Sequence, residues 1–206
     1  MRCARSPRDV MLSIVLPIVL TDAALDALVP DELRHLSAVH WTPVAAAVRV
    51  AELVALRDGQ RLLDVGAGAG KLCCAGAMLS RGAWCGIEQN RMLVAAAARL
   101  ASALGVADRA RVVHGDAFAI DWDAFDVLYF YNPFEQPLFG GNSARERFVR
   151  ARARLAELHV GARVVTLNGL GVVMPSGFER VSCERLAGVG LDLECWIRRD
   201  ATTASR

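Results

Sequence analysis

Four short segments carry residues whose types and spacing could do chemistry. The first is Asp64-Val65-Gly66-Ala67-Gly68-Ala69-Gly70-Lys71, where the apolar run Leu62-Leu63 leads into glycines at every second position. Glycines let a backbone approach a ligand closely. A helix opening after such a turn also offers free N–H groups beside it. The second is Gly86-Ile87-Glu88-Gln89, with Glu88 eighteen residues past Gly70. A carboxylate at that place can accept both hydroxyls of a ribose. The third is His114-Gly115-Asp116-Ala117-Phe118, where Asp116 could accept an adenine amino group while Ala117 or Phe118 covers the ring. The fourth is Phe130-Tyr131-Asn132-Pro133-Phe134, an amide set among aromatic rings.

The spacings also exclude chemistries. A dinucleotide loop G-x-G-x-x-G would need its third glycine at Lys71. A P-loop read from Gly66 would need its second glycine there too. The acid Asp64 before the loop would repel phosphate, so the loop points away from pyrophosphate. There is no G-x-S-x-G and no H-E-x-x-H, so hydrolase and zinc-protease sites find no support. Cys3, Cys73, Cys74, Cys85, Cys183 and Cys195 form no C-x-x-C and have no histidine at zinc spacing. We therefore expect no metal, no disulfide and a reduced, cytoplasmic protein. His35, His40, His114 and His159 are scattered and each reads as structural.

These segments need a scaffold that presents them together. The chain has 206 residues, 54% hydrophobic and 22% charged, which suits one domain with a substantial core. Its net charge of +2 is too small for nucleic-acid binding by bulk charge. Lys71 is the only lysine. Short apolar runs at 61–65, 83–88, 111–114, 126–130 and 163–167 alternate with helical patterns at 71–80, 91–104 and 143–158. That alternation predicts an α/β fold: a doubly wound, mostly parallel sheet with helices on both faces. Two further strands, 178–186 and 191–198, predict an antiparallel C-terminal hairpin at the sheet edge. Ahead of the first strand, 22–36 reads as one or two short helices with Pro30 as a start. Thr42 reads as the N-cap of a helix over 44–56, with Pro43 in its first turn. Residues 10–20 are too short to span a bilayer, which takes about 20 apolar residues. They read as a packed strand or helix, or as a lid. The division expected is a cap or lid segment at 1–43, the main domain at 44–200 and a frayed tail at 201–206.

Asp64-Val65-Gly66-Ala67-Gly68-Ala69-Gly70, Glu88, Asp116 and Asn132-Pro133-Phe134 resemble, in order and spacing, the successive motifs of the class I S-adenosylmethionine-dependent methyltransferases. The likeness covers roughly residues 44–170. It implies S-adenosylmethionine as cofactor. It further implies that Gly66, Gly68 and Gly70 hold the methionine part, with Asp64 helping to anchor it. Glu88, with Gln89 beside it, would bind the ribose, and Asp116 and Ala117 the adenine.

The acceptor side is less determined. Some amine-methylating members carry Asn/Asp-Pro-Pro-Tyr/Phe after the fourth strand. Here one proline is followed directly by Phe134 and Glu135. Asn132 could orient a methyl acceptor, with Tyr131 and Phe134 as walls, or Asn132-Pro133 could simply end the strand in a turn. Phe139 could join the pocket, and the loop 135–142, with Gly140-Gly141, could close over it. Arg147, Arg150 and Arg154 line one helix face, either solvated or facing a phosphate-bearing or acidic substrate. The function expected is methyl transfer to a small molecule or an exposed protein side chain, with no membrane partner and nucleic acid disfavoured. A non-catalytic S-adenosylmethionine- or S-adenosylhomocysteine-binding regulatory module is the alternative. A NAD-dependent oxidoreductase ranks third.

Overall fold

The computed structural model describes residues 20–134 and 144–200. The expectations for residues 10–19, for the loop 135–142 with Phe139, and for the tail 201–206 lie outside the described residues. Three short helices come first: α1 (Asp22–Asp26), α2 (Asp31–Arg34) and α3 (Ser37–His40). The helix α4 (Val44–Val54) precedes β1 (Arg61–Val65), α5 (Lys71–Leu79), β2 (Ala83–Glu88), α6 (Arg91–Ala103) and β3 (Ala110–His114). Two 3-10 turns lead to β4 (Val127–Tyr131), then α7 (Ala144–Ala156), β5 (Arg163–Leu167), β6 (Phe178–Arg185) and β7 (Asp192–Arg198).

The strands form one seven-stranded sheet in the order β3-β2-β1-β4-β5-β7-β6. The first five are mutually parallel, and β7 pairs antiparallel with both β5 and β6. The α/β class, the mostly parallel sheet and the C-terminal hairpin are as expected. Burial explains the strand sequences. The run Leu62-Leu63-Asp64-Val65 of β1 is buried throughout, as fits a central parallel strand covered on both faces. The edge strand β6 carries only exposed and half-buried residues. Leu62 packs with Val50, Leu72 and Leu100 of α4, α5 and α6, whereas Leu63 packs with Ala151 and Leu155 of α7 on the other face. The period-2 alternation of the strand thus assigns successive residues to two separate cores.

One helix start differs from the expected. The N-cap position of α4 is Pro43, which makes no side-chain cap. The N–H of Val44 is bonded instead by the Asp22 carboxylate, at 3.1 and 3.3 Å. Thr42 is buried, and its hydroxyl is engaged with the Tyr129 hydroxyl at 3.0 Å. A distant carboxylate has replaced the local cap because tertiary contact already holds the threonine.

The chain runs from β1 outward to β3, then returns to place β4 on the other side of β1. That reversal opens a crevice at the carboxyl ends of β1 and β4, where ligands of open α/β sheets bind.

Candidate functional site

A cavity of about 340 Å³ lies at these carboxyl ends, a size within the range of small-molecule sites. Gly66, Gly68, Glu88, Gln89, Asp116, Ala117, Tyr131, Asn132 and Phe134 all line it. Asp64 lines a small adjoining recess, which it shares with Gly66, Lys71 and Trp41. Gly70 lines neither. It sits at the N-cap of α5 with φ +74°, and a Cβ there would meet Ala97 and Val112 at 3.0 Å. Its place in the structure is helix packing, not the cavity wall.

The glycine loop is pinned from β2. The N–H groups of Gly66 and Ala67 donate to the Ile87 carbonyl at 3.0 and 3.1 Å. The Gly68 N–H donates to Glu88 Oε2 at 3.0 Å, and the Asn90 N–H donates to Oε1 at 2.8 Å. Each carboxylate oxygen keeps a lone pair for a further donor. Glu88 therefore fixes the loop and still presents an anionic edge to the cavity. Asp116 caps the turn at Ala117–Ala119 by accepting from the Phe118 N–H at 3.0 Å. Gly68 has φ +55°, and a Cβ there would lie 3.0 Å from Trp41 Cδ1.

Asp64 is 4% exposed, and no described cation lies within ion-pair distance of it. Burial, followed by the negative charge of Glu88, pushes its carboxyl up to about 8. Its described neighbour is the Cys73 thiol, whose Sγ lies 4.0 Å from Oδ2. A buried carboxyl with so little compensation is a receptive place for a ligand ammonium.

Beyond β4 the walls are aromatic. Phe134 is 5% exposed and lies face-to-face with Phe118 at 5.5 Å and edge-on to Phe148 at 5.3 Å. Phe118 also stacks on Trp122 at 5.8 Å. Asn132 has φ +45°, the left-handed region in which asparagine is among the best tolerated residues. The structure thus gives Asn132 a turn conformation and a place in the wall together. Of the five arginines of α7, Arg147 and Arg150 line the cavity, and the Arg150 guanidinium lies 4.2 Å over the Phe118 ring. Arg154 instead donates to the Ile120 carbonyl at 2.8 Å; it is half-buried and lies outside the cavity lining.

The site also takes residues that sequence patterns did not single out. Leu36, Asn90 and Leu93 line the cavity without any motif of their own. His40 and Trp41 line it from the N-terminal segment. Lys71 is 2% exposed and ion-paired to Asp22 and Asp26. The signal was present: a single lysine inside an apolar helical run needs a counter-ion, and Asp22 and Asp26 stand one helical turn apart.

Among family models, that of protein-L-isoaspartate(D-aspartate) O-methyltransferase matches residues 34–125. No curated protein matches the chain. Several solved structures are similar. One is an RNA methyltransferase from Salinibacter ruber in complex with S-adenosyl-L-homocysteine. It is 23% identical with a TM-score of 0.60, over 77% of this chain and 94% of that one. A second is the putative methyltransferase yhhF from Escherichia coli, 20% identical with a TM-score of 0.57, over 83% and 90%. A mutant of MtNAS in complex with S-adenosylmethionine is 15% identical with a TM-score of 0.58, over 87% and 72%.

The chain has the class I methyltransferase fold. In this methyltransferase fold the cavity described above occupies the sheet's switch point, with Glu88 and Asp116 at the ends of adjacent parallel strands. Among the described residues no group of three or more His, Cys, Asp or Glu could hold a metal. No described helix is long and apolar enough to cross a membrane.

Proposed function

We propose that the protein is an S-adenosylmethionine-dependent methyltransferase acting on a small molecule or an exposed protein side chain. The observation that carries this reading is the convergence on one cavity of the glycine loop, Glu88 and Asp116 beside the buried carboxyl of Asp64. These groups fit the cofactor's chemistry: an acid for its ammonium, an acid for its ribose hydroxyls and an acid with an apolar neighbour for its adenine. The solved relatives in complex with S-adenosylmethionine or S-adenosyl-L-homocysteine support the same choice.

S-adenosylmethionine supplies a methyl group on a sulfonium, an electrophile that needs little further activation. The protein's task is then to hold an acceptor in line and keep water out. In this reading Asn132 orients the acceptor by accepting from its N–H or O–H, leaving the nucleophile's lone pair facing the methyl carbon. Tyr131 and Phe134 wall the acceptor and keep the path dry. Leu36, His40 and Trp41 close the opposite side, so residues 20–43 act as the described part of a cap on the main domain. Arg147 and Arg150 on the cavity wall favour a second reading of the acceptor, as a molecule that carries a carboxylate or phosphate. The family match and the Salinibacter ruber relative add protein and RNA to the acceptors worth including.

The test is methyl transfer from labelled S-adenosylmethionine to pools of amines, hydroxyls, carboxylates, peptides and RNA. Transfer to one pool with S-adenosylhomocysteine as co-product is expected. Tight cofactor binding with no turnover on any pool would instead support a regulatory module. Binding of NAD in preference to S-adenosylmethionine would overturn the cofactor choice.

A further inference from the structure

We propose that Lys71 is a positioning residue whose ammonium latches the α1–α3 cap onto the glycine loop and so holds Trp41 as a wall of the cavity. The proposal rests on the reading of the cavity as the cofactor site. Lys71 follows Gly70 directly and opens α5, yet all its side-chain polar contacts among the described residues are with the cap. Its Nζ lies 2.5 Å from Asp22 Oδ1, 3.0 Å from Asp26 Oδ1 and 3.0 Å from Ser37 Oγ. Ser37 Oγ in turn donates to Asp26 Oδ1 at 2.9 Å. One ammonium thus spends its three donors on α1 and α3. Asp22 also bonds the Val44 N–H, which ties the same cluster to the start of α4.

The latch leads straight to the cavity. Nζ lies 5.8 Å from the centre of the Trp41 ring, within cation–π range. Trp41 packs against the bare Cα of Gly68. Helices α1, α2 and α3 have five, four and four residues, far too few to be stable alone. Their order rests on tertiary contact. Beyond the latch, that contact is Leu25 of α1, buried in the main core with Val44 and Val50, and a smaller apolar cluster of Val29, Leu33 and Trp41 against Ala69, Leu93 and Ala96. The part around α2 and Trp41, whose described apolar contacts lie in that smaller cluster, opens locally before the rest of the molecule unfolds. Such opening lets a ligand pass Trp41. Closing it returns a charge to a buried site, where only its paired carboxylates make it tolerable.

Because Lys71 is the only lysine, an amine-specific acetylating ester reports on this latch and on the α-amine alone. Acetylation of Lys71 in the full chain would be followed by peptide mass spectrometry, with the guanidinium-unfolded chain giving its intrinsic rate. The latch predicts at least a hundredfold protection in the folded chain, and a further tenfold on saturation with S-adenosylhomocysteine. Asp26→Asn should raise the Lys71 rate at least tenfold and weaken S-adenosylhomocysteine at least fivefold by calorimetry. Asp26→Glu, which keeps the charge, should recover most of both. Unprotected Lys71 in the native chain overturns the proposal. So does S-adenosylhomocysteine that binds without slowing acetylation, or Asp26→Asn that frees Lys71 with affinity unchanged. Failure of S-adenosylhomocysteine to bind the native chain overturns the cofactor reading, and the protection ratio and its loss in Asp26→Asn then decide the latch by themselves.

Discussion

The ends of β1, β2 and β3 and the end of β4 feed one cavity by different means. On the first side the polar groups are fixed by hydrogen bonds within a few residues or to the adjacent parallel strand. Glu88 takes N–H groups from Asn90 and from Gly68, and Asp116 takes the N–H of Phe118. On the β4 side, position depends on side chains that meet from far apart in the chain. Phe134 is set between Phe118 and Phe148, and Arg150 reaches Phe118 from α7. Backbone-anchored acids suit a ligand that is always the same. Packed rings and long side chains suit a ligand that differs from one relative to another. In the proposed division, the first side holds the cofactor and the second selects the acceptor.

The strongest way to break that division is at Asn132. Its left-handed backbone makes Asn132→Gly the informative variant, because glycine keeps the turn and removes the amide. We expect kcat to fall about a hundredfold with cofactor affinity nearly unchanged. Asn132→Ala should lose the same activity and in addition about 1 kcal/mol of stability, from alanine's poorer tolerance of positive φ. Normal single-turnover rates in Asn132→Gly would make Asn132 a turn residue only and put the acceptor elsewhere.

Next in size is Glu88. Its proposed bonds to two ribose hydroxyls are charge-assisted, each worth about 1.5–3 kcal/mol. Glu88→Ala should weaken S-adenosylhomocysteine at least tenfold by calorimetry. The loss of the anchor on Gly68 adds to the effect, with the far-ultraviolet circular dichroism retained. Unchanged affinity would remove the ribose assignment and leave Glu88 as a brace for the loop.

The smallest effect sharpens the contrast through pH. With burial, and secondarily Glu88, raising the Asp64 carboxyl to about 8, the folded chain holds a proton that an unfolded aspartate loses near pH 4. Asp64's contribution to stability is therefore fully present below about pH 4 and is lost as pH rises towards and through 8. A ligand ammonium favours the carboxylate, so binding should release a proton. Affinity for S-adenosylhomocysteine should then gain up to about tenfold per unit as pH rises from 6 towards 8. Titrations in buffers of different ionisation heat count that proton. Asp64→Asn should remove this proton release, and the same release in the variant would place its source elsewhere.

Much of the fold was written in local pattern. The bounds of β1, β2 and β5 follow from apolar runs that a parallel sheet buries, and Glu88 follows from being the first polar residue after the run of β2. Thr42 shows the limit of that reading. Its type and spacing suit an N-cap, but a hydroxyl contact with Tyr129 outcompeted the local role, and Asp22 supplied the cap from outside. Gly70 shows another, since a loop glycine and a packing glycine look alike in sequence.

Local pattern suffices for the order of strands and helices along the chain and for the residues at the turns that follow the strands. Both depend on periodicity and backbone freedom, which act over a few residues. Long-range packing alone sets Lys71 against Asp22 and Asp26, places Arg147 and Arg150 in the cavity lining while Arg154 lies outside it, and packs Phe134 between rings. These pairings are settled by burial. Once the sheet's reversal brings distant elements together, a charge or ring takes whichever partner spares it an uncompensated place in the core.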